Sequence, residues 1–255
     1  MKVVYTLPDS FDFYFQAKNS LKTLHRFVDR DEVVLIVNPK PRKTSKIWSL
    51  KRYAEIRPGD EFYRNLELPN FKYKIEICDI DADDLIFLDC DTLVLRDIRE
   101  LLGDFDYSAR EEPCFRYKGK IKPTWDNKAW KDALKRFNKP QDAIPINDGF
   151  LIIRHGIQKK IKDDFLAAYT LFHQKKLKSP NTVDDMHHNE FAVSIALAGY
   201  KFKPMTEEHH WFGWRPEQPN VVPYVLHVGT DKRGLAGYKE NLERCLKFIG
   251  DLYAL

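Results

Sequence analysis

Five pairs of aspartates in this 255-residue sequence are separated by a single position: Asp29/Asp31, Asp79/Asp81, Asp81/Asp83, Asp89/Asp91 and Asp104/Asp106. Carboxylates so placed point to one side of an extended chain and can converge on one cation. The spacing is common, so context must choose among the five. Only Asp89/Asp91 directly follows an apolar run, Leu85-Ile86-Phe87-Leu88, of the kind that forms a buried central strand. In open α/β sheets, ligands bind in the crevice beyond the carboxyl ends of such strands. Asp29/Asp31 and Asp104/Asp106 precede strands instead, and residues 79–84 read as a solvated turn. Mg²⁺ and Mn²⁺ prefer hard oxygen ligands, commonly one or two carboxylates together with substrate phosphates. Asp89 and Asp91 therefore either hold such a cation or end a strand by satisfying nearby backbone donors.

Other residues suited to chemistry are scattered. Asn147-Asp148-Gly149 has the composition of a turn and leads into Phe150-Leu151-Ile152-Ile153. Glu190 precedes the apolar Phe191-Ala192-Val193 and is either an exposed helix residue or a base or nucleophile. His227 ends the strand-like Val225-Leu226 and is followed by Val228-Gly229. His187-His188 and His209-His210 invite a metal reading, but adjacent histidines rarely point at one ion. No cysteine or acidic spacing completes a tetrahedral set around them, so they are expected to be surface or acceptor-side residues. The first glycine is Gly59, which excludes a glycine-rich phosphate loop after the first strand, and with it the dinucleotide fingerprint and the P-loop.

The elements that must position these residues alternate between short β-like runs and amphipathic helices, the pattern of a mostly parallel sheet covered on both faces. Strands are expected at Val3–Leu7, Val33–Val37, Leu85–Leu88, Gly149–Ile153, Lys201–Met205 and Val222–Val228. Helices are expected over Phe11–Phe27, with Phe13, Ala17, Leu21 and Leu24 apolar, and over Lys128–Phe137, Ile161–Phe172 and Glu190–Leu197. Asp97 and Glu100 have capping-box spacing, which predicts a helix start. Tyr238, Leu242, Cys245, Leu246, Ile249 and Leu252 form one stripe, expected to dock on the core in preference to meeting a membrane. Residues 111–127 read as an excursion from the sheet. Trp211, Phe212 and Trp214 either anchor a loop or offer stacking faces, and Trp125 and Trp130 carry the same two readings.

Length fits one large α/β domain, or one domain with a lobe inserted into it, that needs no disulfide or metal staple. The four widely spaced cysteines form no CxxC pair and suit a reducing compartment. No apolar run reaches membrane-spanning length, and Met1-Lys2-Val3-Val4-Tyr5 leads into a strand rather than a signal peptide. The expected location is cytoplasmic, including the periphery of a membrane. A net charge of +4 suits an anionic substrate and is too weak to argue for nucleic acid by itself.

The segment Phe87-Leu88-Asp89-Cys90-Asp91-Thr92-Leu93-Val94-Leu95-Arg96-Asp97-Ile98 resembles the DxD segment of glycosyltransferase family eight. The resemblance implies a GT-A fold: a Rossmann-like α/β domain with a mostly parallel central sheet flanked by helices. It implies one such domain over residues 1–255, with 111–145 and 205–220 as acceptor-side excursions. The implied reaction moves a sugar from a nucleotide-diphosphate donor, a UDP-sugar, to an acceptor hydroxyl with retention of anomeric configuration. Asp89, Asp91 and His227 are the implied ligands of Mn²⁺ or Mg²⁺. Thr6, Leu7, Asp9 and Tyr14 fall where the family holds the nucleotide base, and Lys74 either falls near its basic residue for the donor phosphates or is a solvated lysine. Asn147 and Asp148 resemble the family's Asn-x-Gly turn that binds donor sugar hydroxyls.

Gly229 and Lys232 resemble its diphosphate-binding pair, with spacing from His227 one residue shorter than usual. Where the family carries Asp-Gln, this sequence has Asn189-Glu190, so Glu190 and Asp148 are the candidate catalytic carboxylates. Carbohydrate, lipid-linked and protein acceptors all remain open. Two other functions stay beside this one. The basic stretch Lys40–Lys46 would serve a nucleic-acid-binding or DNA-modifying protein, and a non-catalytic homologue would bind sugar nucleotides without turnover.

Overall fold

In a computed structural model of the chain, the described residues are 1–8, 10–38, 46–61, 70–111, 114–117, 120–123, 126–180, 188–214, 219–229 and 234–253. Asp9, residues 40–45, Trp125, His187 and Lys232 lie outside them. The chain opens with β1 (Lys2–Leu7), α1 (Phe11–Leu24), β2 (Val33–Val37), β3 (Glu55–Pro58), β4 (Leu85–Leu88) and β5 (Thr92–Val94). It continues through β6 (Tyr107–Glu111), β7 (Cys114–Tyr117), β8 (Lys120–Pro123), α2 (Asn127–Arg136), β9 (Ile146–Ile153), α3 (Lys162–His173), α4 (His188–Leu197) and β10 (Phe202–Met205). It closes with β11 (His210–Phe212), β12 (Val225–His227) and α5 (Leu235–Tyr253). The chain divides into two compact units, the first comprising residues 1–60, 86–104 and 205–255 and the second residues 61–85 and 105–204.

The first unit is a mixed α/β layer. Its main strands run in the order β4-β1-β2-β3, with β1, β2 and β3 parallel and Val3 opposite Val33. All five residues of β2 and all four of β4 are buried, as expected of parallel strands covered on both faces. No local sequence signal announces β3. Glu-Ile-Arg-Pro carries one strong strand former and lies half-exposed at the sheet edge, where burial does not demand apolar residues. Helix α1 ends at Leu24 and buries Gln16, Ala17, Ser20, Leu21 and Leu24, so its inner stripe includes two polar residues.

A second, three-stranded sheet has the order β11-β12-β5, with β12 antiparallel to β5 and parallel to β11. Its alternation sorts side chains onto two faces. Leu93, Trp211, Leu226 and Val228 meet Tyr238, Cys245 and Ile249 of α5 in one apolar cluster. Of the C-terminal stripe, Tyr238, Cys245 and Ile249 dock on the core as expected, Leu242 packs partly buried against them and Leu246 points outward at 48% exposure, while the Leu252 side chain lies outside the described ones. The other face carries Thr92, His210, Phe212 and His227.

The capping signal at Asp97 yields only a four-residue 3₁₀ turn, Ile98–Leu101. Asp97 accepts from Arg99 N at 3.0 Å, but Glu100 takes the Tyr224 hydroxyl at 2.9 Å instead of closing a capping box.

In the second unit, strands run β10-β6-β9, with β6 antiparallel to β9, and β7 and β8 form a separate hairpin. β9 begins at Ile146, so Asn147-Asp148-Gly149 lies inside a strand and not in a turn before one. The register explains the difference. Arg110 faces Asn147 while Ala109 faces Leu151, so Asp148, Gly149 and Phe150 form a bulge. Every residue of β9 and of α4 is buried. The acidic turn at 79–84 is held by ion pairs of Asp79 with Lys162, Asp81 with Lys159 and Asp84 with Arg154. Asp126 caps α2 through Lys128 N and Ala129 N, and Trp130 is a buried anchor donating to Ala143 O at 2.7 Å. Among the described residues no helix is long and apolar enough to cross a membrane.

Leu226→Ala should lower unfolding stability by about 2–5 kcal/mol, because it opens a cavity between β12 and α5. Urea denaturation followed by tryptophan fluorescence measures this, and a loss below about 0.5 kcal/mol would contradict the packing described.

Candidate metal centre and buried carboxylate cluster

The metal candidate is built at the point where the chain leaves β4. Asp89-Cys90-Asp91 does not continue as extended strand; it turns, with Thr92 N donating to Asp89 O at 3.2 Å and Thr92 Oγ1 donating to the same oxygen at 2.7 Å. The same-side argument for extended residues therefore does not apply, and the turn brings the carboxylates together instead. Cys90 is buried, and its Sγ donates to Thr6 O at 3.2 Å, tying the turn to the end of β1.

Strand β12 supplies the third group. His227 pairs with Thr92 across the β12–β5 ladder, and Val228 N donates to Asp91 O at 2.9 Å. His227 Nε2 lies 3.1 Å from Asp91 Oδ1 and 4.0 Å from Asp89 Oδ2. One ligand atom from each of Asp89, Asp91 and His227 lies within 4.8 Å of the others. The support extends into α1, where Ser20 Oγ bridges the Tyr5 hydroxyl at 2.9 Å and Thr92 Oγ1 at 3.2 Å. Thr23 Oγ1 also accepts from Val94 N at 3.0 Å. Ser20 and Thr23 of α1 thus hold the strand that follows the acidic turn.

Two carboxylates and one imidazole fit a hard divalent cation that keeps further positions for oxygen ligands. The carboxylate side chains remain partly accessible, at 24% for Asp89 and 17% for Asp91, so phosphate oxygens or water can approach.

His210 corrects the surface half of the expectation for the histidine doublets. It is fully buried, with Nε2 3.3 Å from His227 Nδ1. The signal was its place two residues before Phe212, which faces His227 across β11–β12 and puts His210 on the same side. His188 is buried too, stacked on Phe172. Trp211 is a core anchor, whereas Trp214 is 39% exposed and meets His227 edge-on at 4.9 Å. Gly229 has φ +75°, and a Cβ there would come within 2.3 Å of the Trp214 ring. Of the residues expected near the nucleotide base, Leu7 is buried, and the Tyr14 hydroxyl meets Ser49 Oγ at 2.9 Å. Exposed Phe11 lies beside Tyr14 and carries the Lys46 ammonium over its ring at 4.7 Å.

A separate cluster lies within the second unit. Lys74 Nζ donates to Asp148 Oδ1 at 2.8 Å, and Asn189 Nδ2 donates to Asp148 Oδ2 at 2.7 Å. Asn147 Nδ2 lies 3.3 Å from Glu190 Oε1, while Asn147 Oδ1 accepts from Gly149 N at 3.1 Å. All five side-chain residues are buried, so Lys74 is not a solvated lysine and Glu190 is not an exposed helix residue. The bulge in β9 turns Asn147 and Asp148 toward these partners, and Glu190 in the first turn of α4 sits where a helix favours negative charge. Ser194 locks the arrangement by donating to Glu190 O and accepting from Ile146 N.

No protein-family model matches the sequence, and no curated protein matches it either. Solved structures do. The galactosyltransferase LgtC, solved with donor and acceptor sugar analogs, superposes with a TM-score of 0.56 at 14% identity over 99% of this chain and 96% of its own. A glutamine-to-glutamate active-site mutant of LgtC gives 0.55 at 13% identity, over 97% of this chain and 96% of its own. Mouse xyloside xylosyltransferase 1, in its apo form, gives 0.52 at 13% identity, over 91% and 98%. At these identities the likeness shows the fold, which is that of GT-A glycosyltransferases.

Lys74→Met leaves the Asp148 carboxylate buried without its cation and should cost about 3–5 kcal/mol of stability. The double variant Lys74→Met/Asp148→Leu should recover part of that loss in thermal denaturation. A single variant as stable as the parent would remove the ion pair from the account.

Proposed function

We propose that the chain is a divalent-metal-dependent glycosyltransferase acting on a nucleotide-diphosphate sugar, a UDP-sugar, with Mn²⁺ or Mg²⁺ as its cation. The observation that carries this reading is the convergence of Asp89, Asp91 and His227 within 4.8 Å on the GT-A fold. These three residues would hold the cation, which when bound neutralises charge growing on a diphosphate leaving group. Gly229 and Lys232 follow His227 in the chain and are assigned to the diphosphate, and Thr6, Leu7, Asp9 and Tyr14 to the nucleotide. The ring pair of Phe11 and Tyr14 supports a stacking surface at the start of α1.

Asn147, Asp148, Lys74 and Glu190 are assigned to the donor sugar and its transfer. Asp148 has both oxygens engaged, by Lys74 and by Asn189, so it serves as a fixed acceptor that orients its neighbours. Glu190, with the longer contact to Asn147, is the carboxylate suited to act as base or nucleophile. Residues 111–145 and 205–220 are assigned to a carbohydrate, lipid-linked or protein acceptor, and the product is assigned retained anomeric configuration.

A thermal-shift screen of sugar nucleotides with Mn²⁺ should identify a stabilising donor, and Asp91→Asn should abolish the metal-dependent part of the shift. A screen with no stabilising donor, or an unchanged response in Asp91→Asn, would sink the proposal. With the donor known, Glu190→Gln should lower kcat by about 10²–10⁴-fold with little change in KM. Turnover at the parent rate would instead assign Glu190 a structural role, and NMR of the product reads the anomeric outcome directly.

A further inference from the structure

His210 and His227 are more than neighbours in the core. Their rings are inclined by only 9°, with centroids 5.4 Å apart and a nitrogen–nitrogen distance of 3.3 Å. Rings lying face to face would bring their planes, not their edges, into contact. These values describe two imidazoles set nearly end to end in one plane, so an N–H on one points at the lone pair of the other. His210 is fully buried, and Phe212 closes against both rings, at 4.7 Å from His210 and 5.9 Å from His227. The partner of His227 Nδ1 in this direction is therefore a histidine and not bulk water.

A neutral imidazole has one N–H and one lone pair, and the partner of one nitrogen decides the state of the other. His227 Nε2 faces the two carboxylates, and to act as a ligand it must present its lone pair. Its proton must then sit on Nδ1 and be donated to His210 Nε2, which must be the acceptor. The opposite arrangement, with His210 Nε2–H donating to His227 Nδ1, puts a proton on His227 Nε2. That proton would be aimed at Asp91 Oδ1, 3.1 Å away, and would close the site as a plain hydrogen bond.

Resting on the metal reading above, we infer that His210 is a positioning residue that accepts the His227 Nδ1 proton and so keeps Nε2 in its ligating form. Hydrogen-bond partners of this kind typically change metal affinity by about 10–100-fold when removed. His210→Phe keeps a flat ring in the same space but has no acceptor, whereas His210→Gln restores one.

The test has two readouts. Mn²⁺ affinity, from the EPR signal of the free ion, should weaken by about 10–100-fold in His210→Phe and return most of the way in His210→Gln. In the parent protein with Mg²⁺, long-range ¹H–¹⁵N correlations should show His227 protonated at Nδ1 and His210 unprotonated at Nε2. Parent-like affinity in His210→Phe, or a proton on His210 Nε2 with Mg²⁺ bound, would overturn the inference. A parent protein that binds no Mn²⁺ would instead sink the metal centre itself, so the two failures are distinguishable. Should His210→Phe fail to fold by circular dichroism, the parent's proton positions and the His210→Gln affinity decide the question.

Discussion

Holding two carboxylates beside one another is the demand around which the first unit is built. Like charges about 4 Å apart repel by roughly 4 kcal/mol at the effective dielectric of a protein surface. A flexible loop would relieve that repulsion by opening. Here the backbone prevents it: Thr92 grips the Asp89 carbonyl through both its amide and its hydroxyl, and Val228 N holds the Asp91 carbonyl. Cys90, turned inward onto β1, leaves the flanking side chains no inward alternative. The Tyr5–Ser20–Thr92 chain then ties the turn to the first strand and first helix. A hydroxyl stripe on α1 that looks like a defect in an amphipathic helix is what anchors the acidic turn.

The second unit meets a related problem with different means. β9 and α4 are buried along their whole length, so any polar residue in them must find its partner inside the protein. Asp148 finds a lysine and an amide, and Glu190 finds an amide and the start of a helix. The bulge in β9 makes this possible by freeing three residues from the ladder with β6. Regular pairing would have placed successive side chains on opposite faces and separated Asn147 from Asp148.

How much of this was legible follows from which physical signals act locally. The apolar runs of β2 and β4, the acidic pair after β4 and the stripe of α5 are written in consecutive or periodic residues, and all were readable. The place of His227 beside the acidic pair is legible only through the family resemblance. The turn at Asp89–Asp91 was not, because the closing bond comes from a threonine whose side-chain role depends on the turn itself. Asn147-Asp148-Gly149 looked like a turn since its composition is the same in a bulge, and only the partner strand reveals the difference. The burial of His210 is not legible because a three-residue strand is too short to show alternation. Glu190 and Lys74 were ambiguous for a further reason: a charge is buried when a partner distant in sequence compensates it, and no local pattern announces that partner.

Asp89 and Asp91 share one turn, but His227 lies far along the chain, and the three meet only when β4, β5 and β12 are assembled. An ion that recognises that arrangement binds the folded chain and not the unfolded one. By mass action such a ligand adds about 2.7 kcal/mol of stability at a hundred times its dissociation constant. Folding and ion supply then become linked variables. Resistance to proteolysis would follow the free concentration of the cation, and a chelator would lower the chain's stability without unfolding it.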